Sequence, residues 1–288
     1  MRLVDSHAHL QAETFLGDGA EVLAAARVAG VERLLAPGWD IDSSRASIAL
    51  AERSGTGASV GIHPHVAASA DAGAWSTVAE LAGHPAVVAI GETGLDYDRG
   101  FSPRDAQLDN LRRHLALALE LGKPLILHCR SASGERDAQD ELIRELAAVG
   151  VGGREWRARF QDRVPAVLHS FSGPVDYAER ALEIGLAVSF SGLVFRRGEE
   201  TSVEVVRLVP AERMLVETDS PYLSPPGAPK RRNEPLWVEV TARWLAVQRN
   251  EDPDAVGDSL VAAYDSIFDG GADSSAPNSS WPDASDSR

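Results

Sequence analysis

A single cysteine, Cys129, stands in 288 residues. It excludes a disulfide framework and a thiolate zinc site, and it favours a reducing compartment. A bound metal would have to be held by histidine and carboxylate. Lysine occurs only as Lys123 and Lys230, so nearly all basic charge is arginine. No apolar run approaches the roughly 18 residues of a membrane span. The opening MRLVDSHAHL lacks a basic stretch leading into a long apolar one, so a cytoplasmic protein with no membrane partner is expected. Basic residues are also outnumbered: 28 Lys plus Arg against 43 Asp plus Glu leave a net charge of −15. That balance argues against binding nucleic acid through bulk electrostatics and requires a phosphate-bearing substrate to be captured locally by cations. It also resembles the composition of proteins from a high-salt cytoplasm or a GC-rich genome. Apolar residues make up 44%, enough for one α/β barrel or two small domains.

Eight short apolar runs recur: Arg2 to Val4, Arg33 to Ala36, Ala58 to Ile62, Ala86 to Ile90, Pro124 to Leu127, Pro165 to Leu168, Leu186 to Phe190 and Arg213 to Val216. Most are rich in Val, Ile and Leu without alternation, the pattern of strands buried on both faces. Segments with helical spacing separate them, including Asp18 to Ala29, Asp42 to Ser54, Ser102 to Leu121, Ala138 to Val149, Val175 to Ile184 and Val203 to Val209; two more follow, Pro235 to Val247 and Asp254 to Phe268. Eightfold alternation predicts an α/β fold, a (β/α)8 TIM barrel in one domain over 1–268, with a doubly wound open sheet as the alternative. Residues 150–163 carry Arg154, Arg157, Arg159 and Arg163 and form a candidate active-site insertion. The Ser-, Asp- and Pro-rich stretch 269–288 is expected to be a disordered acidic tail.

Polar residues cluster where the apolar runs end. The first run leads into Asp5, His7 and His9, the third into His63 and His65, and the fourth into Glu92 and Asp96. The fifth ends at His128, the sixth at His169 and the eighth at Glu217 and Asp219. In a barrel those ends share one face, where catalytic groups lie. His7 and His9, at i and i+2, point to one side and suit one ion, with Asp5 placed to orient a ring. Glu92 could bridge two ions, and His128 with His169 form a second ligand pair. Asp219 could hold the first ion and accept a proton from water. Glu217 ranks below it, as an orienting or interior group. His65, in preference to His63, and Arg130 are candidate phosphate contacts, and Asp96 orients a ligand or caps a turn. His84 and His114 look like surface residues, and Cys129 packs in apolar surroundings. Lys230 to Arg232 is either a solvated loop or a phosphate-contacting edge.

The series DSHAHL (5–10), GIHPH (61–65), IGETGLDY (90–97), LHCR (127–130), HSFSG (169–173), ETDSPYL (217–223) and RNEP (232–235) resembles the TatD family of metal-dependent deoxyribonucleases over about residues 1–268. The resemblance implies a barrel of the amidohydrolase-like type, a two-metal site and hydrolysis of DNA phosphodiester bonds, often from the 3′ end. It implies His7, His9, Glu92, His128, His169 and Asp219 as metal ligands, with Glu92 and Asp219 catalytic and His65 near the phosphate. Imidazole and carboxylate donors suit Mg, Mn or Zn. The expected partner is DNA, single-stranded or at a 3′ end, and the expected assembly a monomer or weak oligomer. Two departures stand out: the long stretch between His128 and His169, and Asp265 where the family commonly has Asn. Two other readings stay open. One is an amidohydrolase cleaving a C–N or ester bond, disfavoured because Glu92 stands where such enzymes often use a carbamylated lysine. The other is a metal-stabilised binding protein without turnover.

Overall fold

All eight apolar runs form strands in the computed structural model, which describes residues 1–268. They are β1 (Leu3–Asp5), β2 (Val31–Pro37), β3 (Gly57–Val60), β4 (Val87–Asp96), β5 (Leu125–Arg130), β6 (Ala166–Leu168), β7 (Ala187–Phe190) and β8 (Met214–Val216). Neighbours pair in parallel and in chain order. The helices are α1 (Gly19–Val28), α2 (Ile41–Ser54), α3 (Ala72–Ala82), α4 (Arg104–Leu121), α5 (Asp137–Ala148), α6 (Arg154–Phe160), α7 (Val175–Glu183), α8 (Ser202–Leu208), α9 (Val238–Arg249) and α10 (Pro253–Phe268). Helix α3 lies in a segment with no helix named from sequence, although Asp71 caps it by accepting from Ala74 N at 2.8 Å. The proposed tail, 269–288, lies outside the described residues. Among the described residues no helix is long and apolar enough to cross a membrane.

The sheet closes between β8 and β1, which excludes the open doubly wound alternative. Ser6 N donates to Val216 O at 3.0 Å, Asp219 N to His7 O at 2.8 Å and His9 N to Ser220 O at 2.8 Å. Asp5 clamps this seam, accepting from Thr218 N at 2.9 Å and Thr218 Oγ1 at 2.6 Å. Its contact with His7 is to the backbone N, at 3.4 Å, so it holds the strand rather than orienting the ring. Helices cover the outside and side chains fill the inside, which is why the strands are apolar on both faces.

Strand β4 runs six residues beyond the expected end at Ile90. The glycines of GETG look like a strand stop, but they let β4 press against β5. A Cβ on Gly94, at φ +133°, would fall within bonding distance of His128 O. The register shifts between Ile90 and Thr93, and Glu92 and Asp96 therefore lie within the strand.

Helix α4 fixes the ends of β3 and β4. Its buried face carries Gln107, Asn110, Leu111, His114, Leu115 and Ala118, spaced three and four apart. Asn110 Nδ2 donates to Ile62 O at 2.7 Å, and His114 Nε2 accepts from Ile62 N at 3.0 Å. Gln107 accepts from Asp96 N at 2.8 Å. His114 is fully buried, contrary to its expected surface position. The arginines beside it face out while the helical period turns it in.

The arginine-bearing segment is not at the active-site face. It follows α5 and precedes β6, at the N-terminal ends of the strands. Trp156 and Phe160 of α6 are buried there. Arg159 donates to Leu119 O at 3.0 Å and also to Glu120 O, and Arg163 donates to Gly122 O at 3.3 Å. These cations satisfy carbonyls at the C-terminus of α4. Asp265 pairs with Arg33 of β2 at 2.8 Å, so the departure at that position serves packing.

Candidate active site

Six side chains from five strand ends converge around Glu92. His7 and His9 leave β1 with their Nε2 atoms 3.2 Å apart. Glu92 Oε2 lies 3.4 Å from His7 Nε2 and 3.9 Å from His9 Nε2. Asp219 Oδ1 lies 3.7 and 3.4 Å from the same two nitrogens. The other carboxylate oxygen, Glu92 Oε1, faces a second group: His169 Nε2 at 3.0 Å, His63 Nε2 at 3.1 Å and His128 Nδ1 at 3.2 Å. Groups of three such donors lie mutually within 4.8 Å. Asp219, at φ 53°, and Ser170, at φ 42°, hold left-handed backbone at this face, a conformation retained where surrounding bonds enforce it.

Outer contacts set the direction of each ring. Asp96 Oδ2 lies 2.7 Å from His65 Nε2 and 3.2 Å from His128 Nε2, and Asp96 Oδ1 accepts from Asp98 N and Arg99 N. Glu217 Oε1 lies 3.1 Å from His169 Nδ1. Nδ1 of His7 and of His9 are buried without a hydrogen-bond partner, which leaves Nε2 as the interacting atom of each ring.

Burial alone would raise the Glu92 carboxyl, but the imidazoles of His63, His169 and His7 outweigh it and hold the group well below its ordinary value. His169, desolvated yet flanked by Glu92 and Glu217, is raised well above its ordinary value. His63 is lowered to about 4, chiefly by burial. Asp96 is lowered because the bonds from His128 and His65 exceed its desolvation. Five imidazoles and two carboxylates, without thiolate, meet here, and the buried Nε2 atoms of His7 and His9 stand 3.2 Å apart. This fits divalent cations of the Zn, Mn or Mg type.

His65 is one-third exposed and touches Asp96 rather than Glu92. His63, ranked lower from sequence, is the closer to Glu92; its i, i+2 relation to His65 repeats that of His7 and His9 and was the available signal. Arg130 pairs with Asp98 at 2.7 Å. Arg232 pairs with Asp18 and stacks over Phe15, so it is tied to the segment after β1. Cys129 packs against the core, and burial raises its thiol to about 12.

A family model described as TatD related DNase matches residues 4–269. The uncharacterized metal-dependent hydrolase YabD of Bacillus subtilis is 34% identical over 248 residues, 85% of this chain and 90% of that protein. The 3′-5′ ssDNA/RNA exonuclease TatD of Klebsiella pneumoniae is 37% identical over 263 residues, 87% of this chain and 91% of that protein. Among solved structures, the TatD homolog YJJV of Escherichia coli superimposes with a TM-score of 0.79 at 26% identity, covering 93% of this chain and 98% of the other. With a carboxylate-centred histidine cluster at the C-terminal face of a closed barrel and a match spanning nearly the whole described chain, the protein belongs to the TatD-related DNase family of metal-dependent hydrolases.

Proposed function

We propose that this chain is a 3′-5′ exonuclease that hydrolyses phosphodiester bonds of single-stranded DNA with two divalent cations, of Mg, Mn or Zn. The observation that carries the two-cation reading is the division of Glu92. Its Oε2 faces His7 and His9, while its Oε1 faces His128 and His169. One cation would be held by His7, His9, Asp219 and Glu92, the other by Glu92, His128 and His169. When bound, the cations supply Lewis-acid polarisation of the phosphate oxygens and acidify the attacking water. Asp219, 15% exposed against 4% for Glu92, is open to that water and takes its proton. One P–O bond forms to the water oxygen, one P–O ester bond breaks, and the leaving oxygen takes up a proton, from Asp219 or from solvent. His65, held by Asp96, would contact the phosphate. Arg130, the other candidate phosphate contact, is paired with Asp98. All six proposed ligand groups come from one chain, so this reading needs no second subunit to complete the site.

Lys123 does not support the amidohydrolase reading. Its Nζ donates to Ala82 O and His84 O just before β5, at the barrel end away from the site. The deciding assay uses a labelled single-stranded oligodeoxynucleotide with Mg or Mn. Loss from the 3′ end is expected, abolished by EDTA and lowered at least about a thousandfold in Glu92→Gln. Undiminished degradation in EDTA would end this reading.

A further inference from the structure

Phe101 and Tyr222 are 67% and 60% exposed, and they are the two exposed aromatic residues among the described residues. The remaining large exposed hydrophobics are aliphatic. Phe101 follows β4 and stands beside His65, whereas Tyr222 follows β8 and stands beside the proposed ligand His9, and β4 and β8 lie four strands apart in the eight-stranded order. The Phe101 ring lies edge-to-face with His65, centroids 4.8 Å apart. The Tyr222 ring lies 6.1 Å from His9, which also meets Trp39 at 5.1 Å.

Such exposure costs hydrophobic free energy without a ligand to cover the rings. The backbone beneath them is nevertheless fixed. Beside Phe101, buried Ser102 donates to His65 O at 2.9 Å and accepts from Ala68 N at 3.1 Å, and Gln107 Nε2 donates to Ser102 O at 2.9 Å. Tyr222 N donates to Asp219 O at 2.8 Å, and Asn233 N donates to Pro221 O at 3.0 Å. Trp39 is anchored through His63 N, which donates to Trp39 O at 2.8 Å. A fixed backbone and only two side-chain torsions limit the entropy lost when a flat partner stacks on these rings. A nucleobase is such a partner, and stacking tolerates every base, as a nuclease that advances along a strand requires. Stacking also supplies affinity that a net charge of −15 cannot.

We infer that Phe101 and Tyr222 are base-stacking platforms that grip the nucleotides on the two sides of the phosphate being cut. The inference rests on the nuclease reading above. Its test measures KM and kcat of the metal-loaded enzyme on a single-stranded oligodeoxynucleotide and on the same strand with abasic residues at its 3′ end. Phe101→Ala and Tyr222→Ala should each raise KM about tenfold to a hundredfold with a smaller effect on kcat, and Phe101→Tyr and Tyr222→Phe should restore it. The unaltered enzyme should lose a comparable factor on the abasic strand, and combining either alanine change with that strand should cost no more than one alone. A 2-aminopurine at the 3′ end should be quenched on binding, and less so in the alanine variants. Alanine variants with unchanged KM and quenching on the base-bearing strand would overturn the stacking role while leaving the nuclease reading standing. Absence of metal-dependent hydrolysis of either strand by the unaltered enzyme would overturn both.

Discussion

Glu217 shows how one buried group can decide what a neighbouring ligand does. Its Oε1 accepts from Ser170 N and Ser170 Oγ, both at 2.8 Å, and lies 3.1 Å from His169 Nδ1. Burial favours the neutral acid, but His169 outweighs it and brings the carboxyl down to about 2. An ionised Glu217 keeps the proton on Nδ1 and leaves Nε2 for Glu92 or a cation. Glu217→Gln should therefore weaken Mn binding about tenfold to a hundredfold, measured by titration calorimetry. An affinity equal to the parent's would remove this role. A two-residue alternation continued past β8 predicts Glu217 on the side of Asp219, although the strand ends at Val216 and Asp219 is left-handed. Nothing local in that strand reveals the ring of β6 that it meets.

At the scale of the element, helix α4 carries the clearest consequence. His114 Nε2 accepts from Ile62 N, so its proton sits on Nδ1, 2.8 Å from Asn110 O. Protonating Nε2 would set two donors against each other in a buried site, and burial has already lowered the group from 6.5 to about 4. The sign follows from proton counting. Between those values the unfolded chain binds the proton and the folded chain does not, so stability rises with pH. From this residue alone about 2 kcal/mol is lost between pH 7 and pH 5. Urea unfolding in chelator should show His114→Asn losing correspondingly less over that interval than the parent, although it is less stable at pH 7. Equal slopes would show that His114 does not carry this dependence. The helix of α4 was legible, but the arginines flanking His114 led to a surface placement that the structure reverses. That its polar members reach the ends of β3 and β4 depends on how the helix docks.

For the whole molecule, charge and site pull in opposite directions. Three arginines placed to face a polyanion are engaged by carboxylates: Arg130 by Asp98, Arg232 by Asp18, and Arg136 by Asp140 and Asp176. Capture of DNA should then depend on bound cations and stacking, with little counterion release. Raising NaCl from 50 to 200 mM should not lower kcat/KM on single-stranded DNA, whereas a protein with six to ten phosphate contacts loses about a thousandfold or more in affinity. A steep fall would assign capture to surface arginines instead. What the sequence determined by itself was the alternation of strand and helix and the identity of the polar residues at the strand ends, because a strand buried on both faces must stay apolar until it emerges. Which of those residues meet was decided by tertiary structure. Closure of β8 on β1 joins Asp219 to His7 and His9, and the shifted register of β4 against β5 sets Glu92 between two groups of imidazoles. Such distances arise from how separate strands pack, and no local stretch of sequence carries them.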